Sequence, residues 1–273
     1  MSKSGSDTPG SEFVGPAAVQ VLLSWARSWQ LGLILAVLAI GFVAVSWRSV
    51  DFDQLFVLPP GAILGSAGAY AMALGSIALA VWQPGPPPPR TVIGSGLAAQ
   101  ILKYVPGSVW QGQRILGVAG WRALTRFTGV VFAAAGIGLA VSGGTIAVIA
   151  GVSVVAVTLT ICIRFLSPGE AASVGLVSAV TVISIVLSGA FLGWGLGIDP
   201  MASGRDVVGA WGLGALAVPI PAGVGIREFY FSVTNDPDVG AQLAIGFRAV
   251  TLIVDVVVGS LGLWMSWRVK DES

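Results

Sequence analysis

Apolar residues gather in runs at about residues 29–47, 61–82, 124–142, 144–163, 172–193 and 240–267. A helix rises about 1.5 Å per residue, so roughly 20 residues cover the hydrocarbon of a bilayer, and each run predicts one transmembrane helix. Two further apolar stretches, 91–113 and 207–228, are interrupted by proline and glycine. In the second, Pro219, Pro221, Gly223 and Gly225 fall within seven residues, a pattern that breaks regular backbone pairing. Non-helical backbone at membrane depth survives only where protein or a water-filled cavity satisfies its N–H and C=O groups. Both stretches therefore predict re-entrant hairpins, which dip into the membrane and return on the side they entered.

Basic residues set the orientation. With the N-terminus in the cytoplasm and both hairpins re-entrant, Lys3, Arg27, Arg90, Lys103, Arg114, Arg122, Arg126, Arg164, Arg268 and Lys270 share the cytoplasmic side. Arg48, Arg205 and Arg227 lie outside, and Arg248 lies within a span. This is the bias of the positive-inside rule, and it places the first hairpin on the cytoplasmic side and the second on the outer side. Of ten tryptophans, Trp25, Trp29, Trp47, Trp82, Trp121, Trp194, Trp264 and Trp267 lie at run ends, as an interfacial aromatic belt requires.

The two hairpins share a skeleton. Pro106, Gly112 and Arg114 recur as Pro219, Gly225 and Arg227, each 113 residues later. The same offset carries element starts at 29, 61, 91 and 124 close to those at 144, 172, 207 and 240. Each half then makes three crossings, an odd number, so the second half is inverted relative to the first. The expected architecture is an all-α membrane protein of about six transmembrane helices and two re-entrant hairpins in an inverted 3+3 repeat. Broken helices near the midplane of such repeats are a recurring plan of secondary transporters. A disordered tail is expected over 1–28, one transmembrane domain over 29–267 with halves 29–142 and 144–267, and a short tail over 268–273. The first span reads as uncleaved, and the Gln83 to Arg90 segment as a stiff polyproline linker.

Composition narrows the function. The 273 residues are 55% hydrophobic and 10% charged, too apolar for a soluble domain of this length. A net charge of +1 gives no reason to expect a nucleic acid. The chain has no histidine and one cysteine, Cys162, so no metal site, cofactor or Cys/His catalytic pair is expected, and Cys162 reads as a small buried thiol. The small-residue runs Gly61 to Gly65, Gly189 to Gly193 and Gly193 to Gly197 read as helix-packing faces.

Candidate chemistry lies in the hairpins. Lys103, Arg114 and Arg227 are expected to approach the pseudo-symmetric centre, where half-helix N-termini and guanidinium groups favour phosphate. Glu228 would orient Arg227, Arg248 would line the path, and Tyr104 and Trp110 would flank the entry. Pro106, Gly107, Gly112, Pro219, Pro221, Gly223 and Gly225 would shape the backbone. Arg248 and Asp255 share a face of the last span but stand about 10 Å apart along it. A blander reading stands beside this one: the prolines and glycines permit tight packing, the arginines snorkel to the headgroups, Arg248 pairs with Glu228, and Asp255 pairs with a basic residue of another span.

The late motif, Pro219 and Pro221 followed by Gly223, Gly225, Arg227 and Glu228, resembles that of the lysylphosphatidylglycerol synthase transmembrane region, or flippase-like domain family. Lys103 through Trp110, followed by Arg114, resembles the early motif of one branch of that family. The resemblance spans roughly residues 29–267 and implies movement of lipids or lipid-linked sugars between leaflets. It departs at Gly112-Gln113, where much of the family has Gly-Glu, at Thr125-Arg126, where many members have Glu-Arg, and at Ala222, where a glycine is common. No aminoacyl-transferring domain follows Ser273, so lysyl transfer is not expected.

The expected function is translocation of an anionic lipid or polyprenyl-phosphate-linked glycan across the cytoplasmic membrane, with both termini inside and no enzymatic activity. Its first rival is a non-transporting membrane partner of a glycosyltransferase or cell-envelope enzyme. A third reading, a membrane-embedded transferase, has only Glu228 and Asp255 and no nucleophile-base pair.

Overall fold

A computed structural model of the chain describes residues 58–82, 87–103, 109–217, 223 and 225–267. The described residues form eight helices: α1 Pro60–Val81, α2 Pro89–Leu102, α3 Val109–Ser142, α4 Thr145–Phe165, α5 Pro168–Gly195, α6 Pro200–Leu216, α7 Ile226–Thr234 and α8 Pro237–Trp267. Five of them, α1, α3, α4, α5 and α8, are long and apolar enough to cross a membrane. They coincide with five of the six expected spans, and the run at 29–47 lies outside the described residues, as do both terminal tails. The described residues are thus all-helical, and the chain is a multi-pass membrane protein.

Local signals account for the boundaries. Pro60, Pro89, Pro168 and Pro200 each occupy the first helical turn, where a missing N–H costs nothing. Ser167 and Glu170 form a reciprocal capping box at the start of α5. At its other end Gly197 (φ 70°) lets the Ile198 N–H return to the Gly193 carbonyl at 2.8 Å. Asp199 caps α6 by accepting from the Met201 N–H at 2.8 Å.

The interrupted stretches are longer than the sequence suggests. In place of 91–113, α2 begins at Pro89, and the returning arm starts at Val109 and runs into the next span. Gly120, at φ 77° and ψ −178°, is the joint between that arm and the span. In place of 207–228, α6 begins at Pro200, and α7 returns to Thr234 as a separate helix.

Helix association inside a bilayer relies on close approach and polar contacts, because lipid tails compete for apolar faces. The central contact joins α1 and α5, antiparallel, through Ser66 and Ser188 hydroxyls 2.9 Å apart and Ser76 and Thr181 hydroxyls 2.8 Å apart. Around it α2 packs along the C-terminal part of α8, and α6 along the C-terminal part of α3. Small residues line these seams. A Cβ on Gly136 of α3 would lie 2.8 Å from the Gly151 carbonyl oxygen of α4, and one on Gly212 of α6 would lie 2.6 Å from the Ala135 carbonyl oxygen of α3. Gly189 and Gly193 serve α5 in the same way against α6, and Gly65 receives the Phe191 ring. Apolar side chains such as Ile146 and Ile163 of α4 remain exposed, as lipid-facing positions do.

Candidate functional site

At the end of α2 the chain leaves its helix at Lys103, deep between α1 and α8. The Lys103 ammonium lies 2.7 Å from the Asp255 carboxylate and donates to the Tyr70 hydroxyl at 3.1 Å. That hydroxyl donates in turn to the other Asp255 oxygen at 3.4 Å, closing a ring of three polar groups from three helices. Asp255 and Tyr70 are fully buried, while the Lys103 side chain keeps 12% of its surface. Asp255 lies 18 residues beyond the start of α8 and 12 before its end, so the ring sits near the middle of that helix. Phe247 braces the Tyr70 ring edge-on, with centroids 5.9 Å apart.

The second interrupted segment, α6 and α7, holds a buried cation of its own. Arg227, in the first turn of α7, is buried, and its Nε has no hydrogen-bond partner among the described residues. Its stem lies on Gly214 of α6, where a Cβ would come within 2.9 Å of the arginine Cγ. Gly223 (φ 63°) rests on the same glycine, and its own Cβ would lie 2.6 Å from the Gly214 Cα. Gly225 (φ 84°) turns the chain into α7, and its N–H donates to Glu228 Oε2 at 2.7 Å. These two positive φ angles are the reason for glycine at both motif positions. The Glu228 carboxylate is occupied as a helix cap, in place of the expected role of orienting Arg227.

Lys103, Asp255 and Tyr70 form one buried polar centre, and Arg248 lies half-buried seven residues before Asp255 on α8.

Arg114 stands apart from it. Its guanidinium donates to the Ser266 hydroxyl at 3.1 Å, eleven residues or about 16 Å further along α8 than Asp255. The arm that carries it is tied to α2 by Gln111, whose side-chain amide donates to the Ala99 carbonyl at 2.9 Å. Gly112 has no close neighbour, since a Cβ there would make an ordinary 3.5 Å contact with Leu124. Tyr104, Pro106, Gly107, Pro219 and Pro221, and the side chain of Trp110, lie outside the described residues. Arg126 is buried and donates to the Val81 carbonyl at the end of α1 at 3.4 Å, with Glu170 3.9 Å away.

Sequence reasoning missed Tyr70 and Gly214. Tyr70 carried a signal, as one of only three tyrosines and the one placed mid-run instead of at an interface. Gly214 carried none, because α6 holds three other glycines and alanines around it in Ala210 to Leu216.

An ion pair buried at this depth repays its desolvation only with good geometry and further hydrogen bonds, which the Tyr70 hydroxyl supplies here. The cations here are an ammonium on a flexible stem, paired with Asp255, and a planar guanidinium with an idle donor. No protein-family model, curated protein or solved structure matches the chain.

Proposed function

We propose that the chain moves an anionic lipid, or a glycan carried on polyprenyl phosphate, between the leaflets of the cytoplasmic membrane, with both termini on the cytoplasmic side. The observation that carries this reading is Arg227: a buried cation with an unused donor, at the break between α6 and α7, its stem on Gly214. Ionisable groups at membrane depth are expensive and mark substrate paths more often than packing faces. Lys103 and Arg227 receive the head group's anion. Arg248 extends the path, and Arg114 meets the head group nearer the cytoplasmic surface, beside Ser266.

The two interrupted segments are re-entrant hairpins of an inverted repeat, in the manner of the flippase-like family that the motifs resemble. Support comes from exchange of packing partners: α2 lies on α8 as α6 lies on α3, and α1 meets α5. The hydroxyl contacts follow the same exchange. Ser66 and Thr181 are 115 residues apart and Ser76 and Ser188 are 112 apart, both near the 113-residue offset of the motifs.

The test is reconstitution of the full chain in vesicles with fluorescent lipids, following movement between leaflets by quenching from outside. Arg227→Ala, folded as judged by gel filtration, is expected to lose most of the activity. Equal rates for the parent and this variant would remove the head-group role. A parent that moves no lipid alone but co-purifies with an envelope glycosyltransferase would favour the rival reading of a non-transporting partner.

A further inference from the structure

α3 and α8 hold matching places in the bundle, yet their cover differs. Ala135, Gly138 and Ser142 of α3 receive α6 at Gly212, Val208 and Gly209. Gly259, Gly262 and Ser266 of α8 receive α2 at Ile101, Ala98 and Gly94. The spacing is the same in both, each α8 position lying 124 residues after its α3 counterpart. Between Ala123 and Ala140 no residue of α3 is exposed. The matching length of α8, Phe247 to Trp264, leaves Leu252, Ile253, Val256, Val257, Leu261 and Trp264 exposed. Steps of three and four residues put all six on one face of the helix.

The cover on α3 is α4, which meets it at Gly129, Gly136 and Ala140. The 124-residue shift carries these positions to Ile253, Ser260 and Trp264, all three exposed and all on that face of α8. We propose that this face seats the 29–47 span, the counterpart of α4 in the first half of the chain. The inference rests on the inverted-repeat reading of the fold. Direction, depth and reach agree with it. A cytoplasmic N-terminus sends 29–47 outward while α8 runs inward, so the pair is antiparallel, as α3 and α4 are. Trp29 and Trp267 then share the cytoplasmic interface. Residues 35–38, six to nine past Trp29, come level with Ser260, seven before Trp267. The segment 48–57 reaches up to about 33 Å when extended, enough to return to Leu58 and α1, which already touches α8 through Tyr70 and Asp255. Neither 29–47 nor the exposed face carries a charge.

The experiment is disulfide cross-linking of the full chain in membranes. Ser260→Cys is combined in turn with Leu35→Cys, Ala36→Cys, Val37→Cys and Leu38→Cys, which cover one helical turn, and joined peptides are identified by mass spectrometry. Cys162 is buried and contributes little background. A bridge needs Cα atoms within about 7 Å, so at least one of the four is expected to close within a single chain about tenfold more than the same position paired with Ile161→Cys on the exposed face of α4. No bridge at any of the four positions overturns the proposal. Bridges between two copies through Ser260→Cys alone also overturn it, because a second copy then covers the face. Should Ser260→Cys fail to fold, Ile253→Cys combined with cysteine at positions 42–45 tests the same seat two turns further in, with the same outcomes. No bridge while Arg90→Cys and Met201→Cys label from opposite faces of the membrane removes the seat and leaves the inverted repeat standing. A bridge with both labelled from one face does the reverse.

Discussion

Lys103 and Asp255 meet at 2.7 Å although 152 residues separate them along the chain. The contact joins the inner tip of α2 to the middle of α8, so one ion pair fixes how deep the first interrupted segment sits. Tyr70 completes it from α1. Because Asp255 is fully buried, leaving it unpaired costs far more than breaking a surface bridge, whose median worth is about 0–1 kcal/mol.

Removing one partner strands the other. Lys103→Ala or Asp255→Ala is expected to destabilise the fold by about 3–5 kcal/mol, whereas the double change to Met and Leu stays within about 1 kcal/mol of the parent. Thermal unfolding in detergent measures both. Additive losses in the double variant would show that the two residues do not act as a pair.

Tyr70→Phe keeps the ring on Phe247 and removes only the hydroxyl. The expected cost is about 1–3 kcal/mol, because Asp255 loses a donor it cannot replace in a buried site. A melting temperature equal to that of the parent would mean that the hydroxyl is idle.

Gly214→Ala places a methyl group where the Arg227 stem and Gly223 both lie. Overpacking of this kind costs about 1–3 kcal/mol, and the expected result is loss of lipid movement together with lowered stability. Gly175→Ala on α5, where a Cβ meets nothing within 4 Å, is the control expected to leave both unchanged.

Opposite entry of the two interrupted segments is open to chemical labelling. Cys162 is buried, so background reaction with the parent is low. Exposed positions at the outer starts of α2 and α6 are Arg90 and Met201. Arg90→Cys is expected to react with an impermeant maleimide only from the cytoplasmic side, and Met201→Cys only from the other. Reaction of both from one face would end the inverted-repeat reading.

The spans were legible because each is a long apolar run, and length alone identifies a crossing helix. Pro89 and Pro200 marked helix starts that periodicity placed a few residues late, since proline at the first turn opens a helix as readily as it breaks one. What the sequence could not reveal was partnership. Seven residues between Arg248 and Asp255 put them on one face of α8 but could not say that Lys103, from α2, would take the carboxylate. The blander expectation gave Asp255 a basic partner from another span, and the partner is basic but comes from the first interrupted segment. Arg114 and Arg227 occupy equivalent places in the repeated motif, yet Arg227 is buried against Gly214 while Arg114 donates to Ser266. Arg114 rides an arm that runs on toward Ser266, and motif spacing does not encode how far an arm has climbed.

The firm caps at both ends of α5 have a mechanical consequence. Its 28 residues span about 42 Å, against roughly 30 Å of hydrocarbon, while the 21 residues of α4 span about 31 Å. A helix held by a capping box at one end and a left-handed glycine at the other cannot shorten by fraying, so α5 must lean or protrude. Bilayer thickness therefore acts on its tilt, and α1 and α6, packed against it, tilt with it.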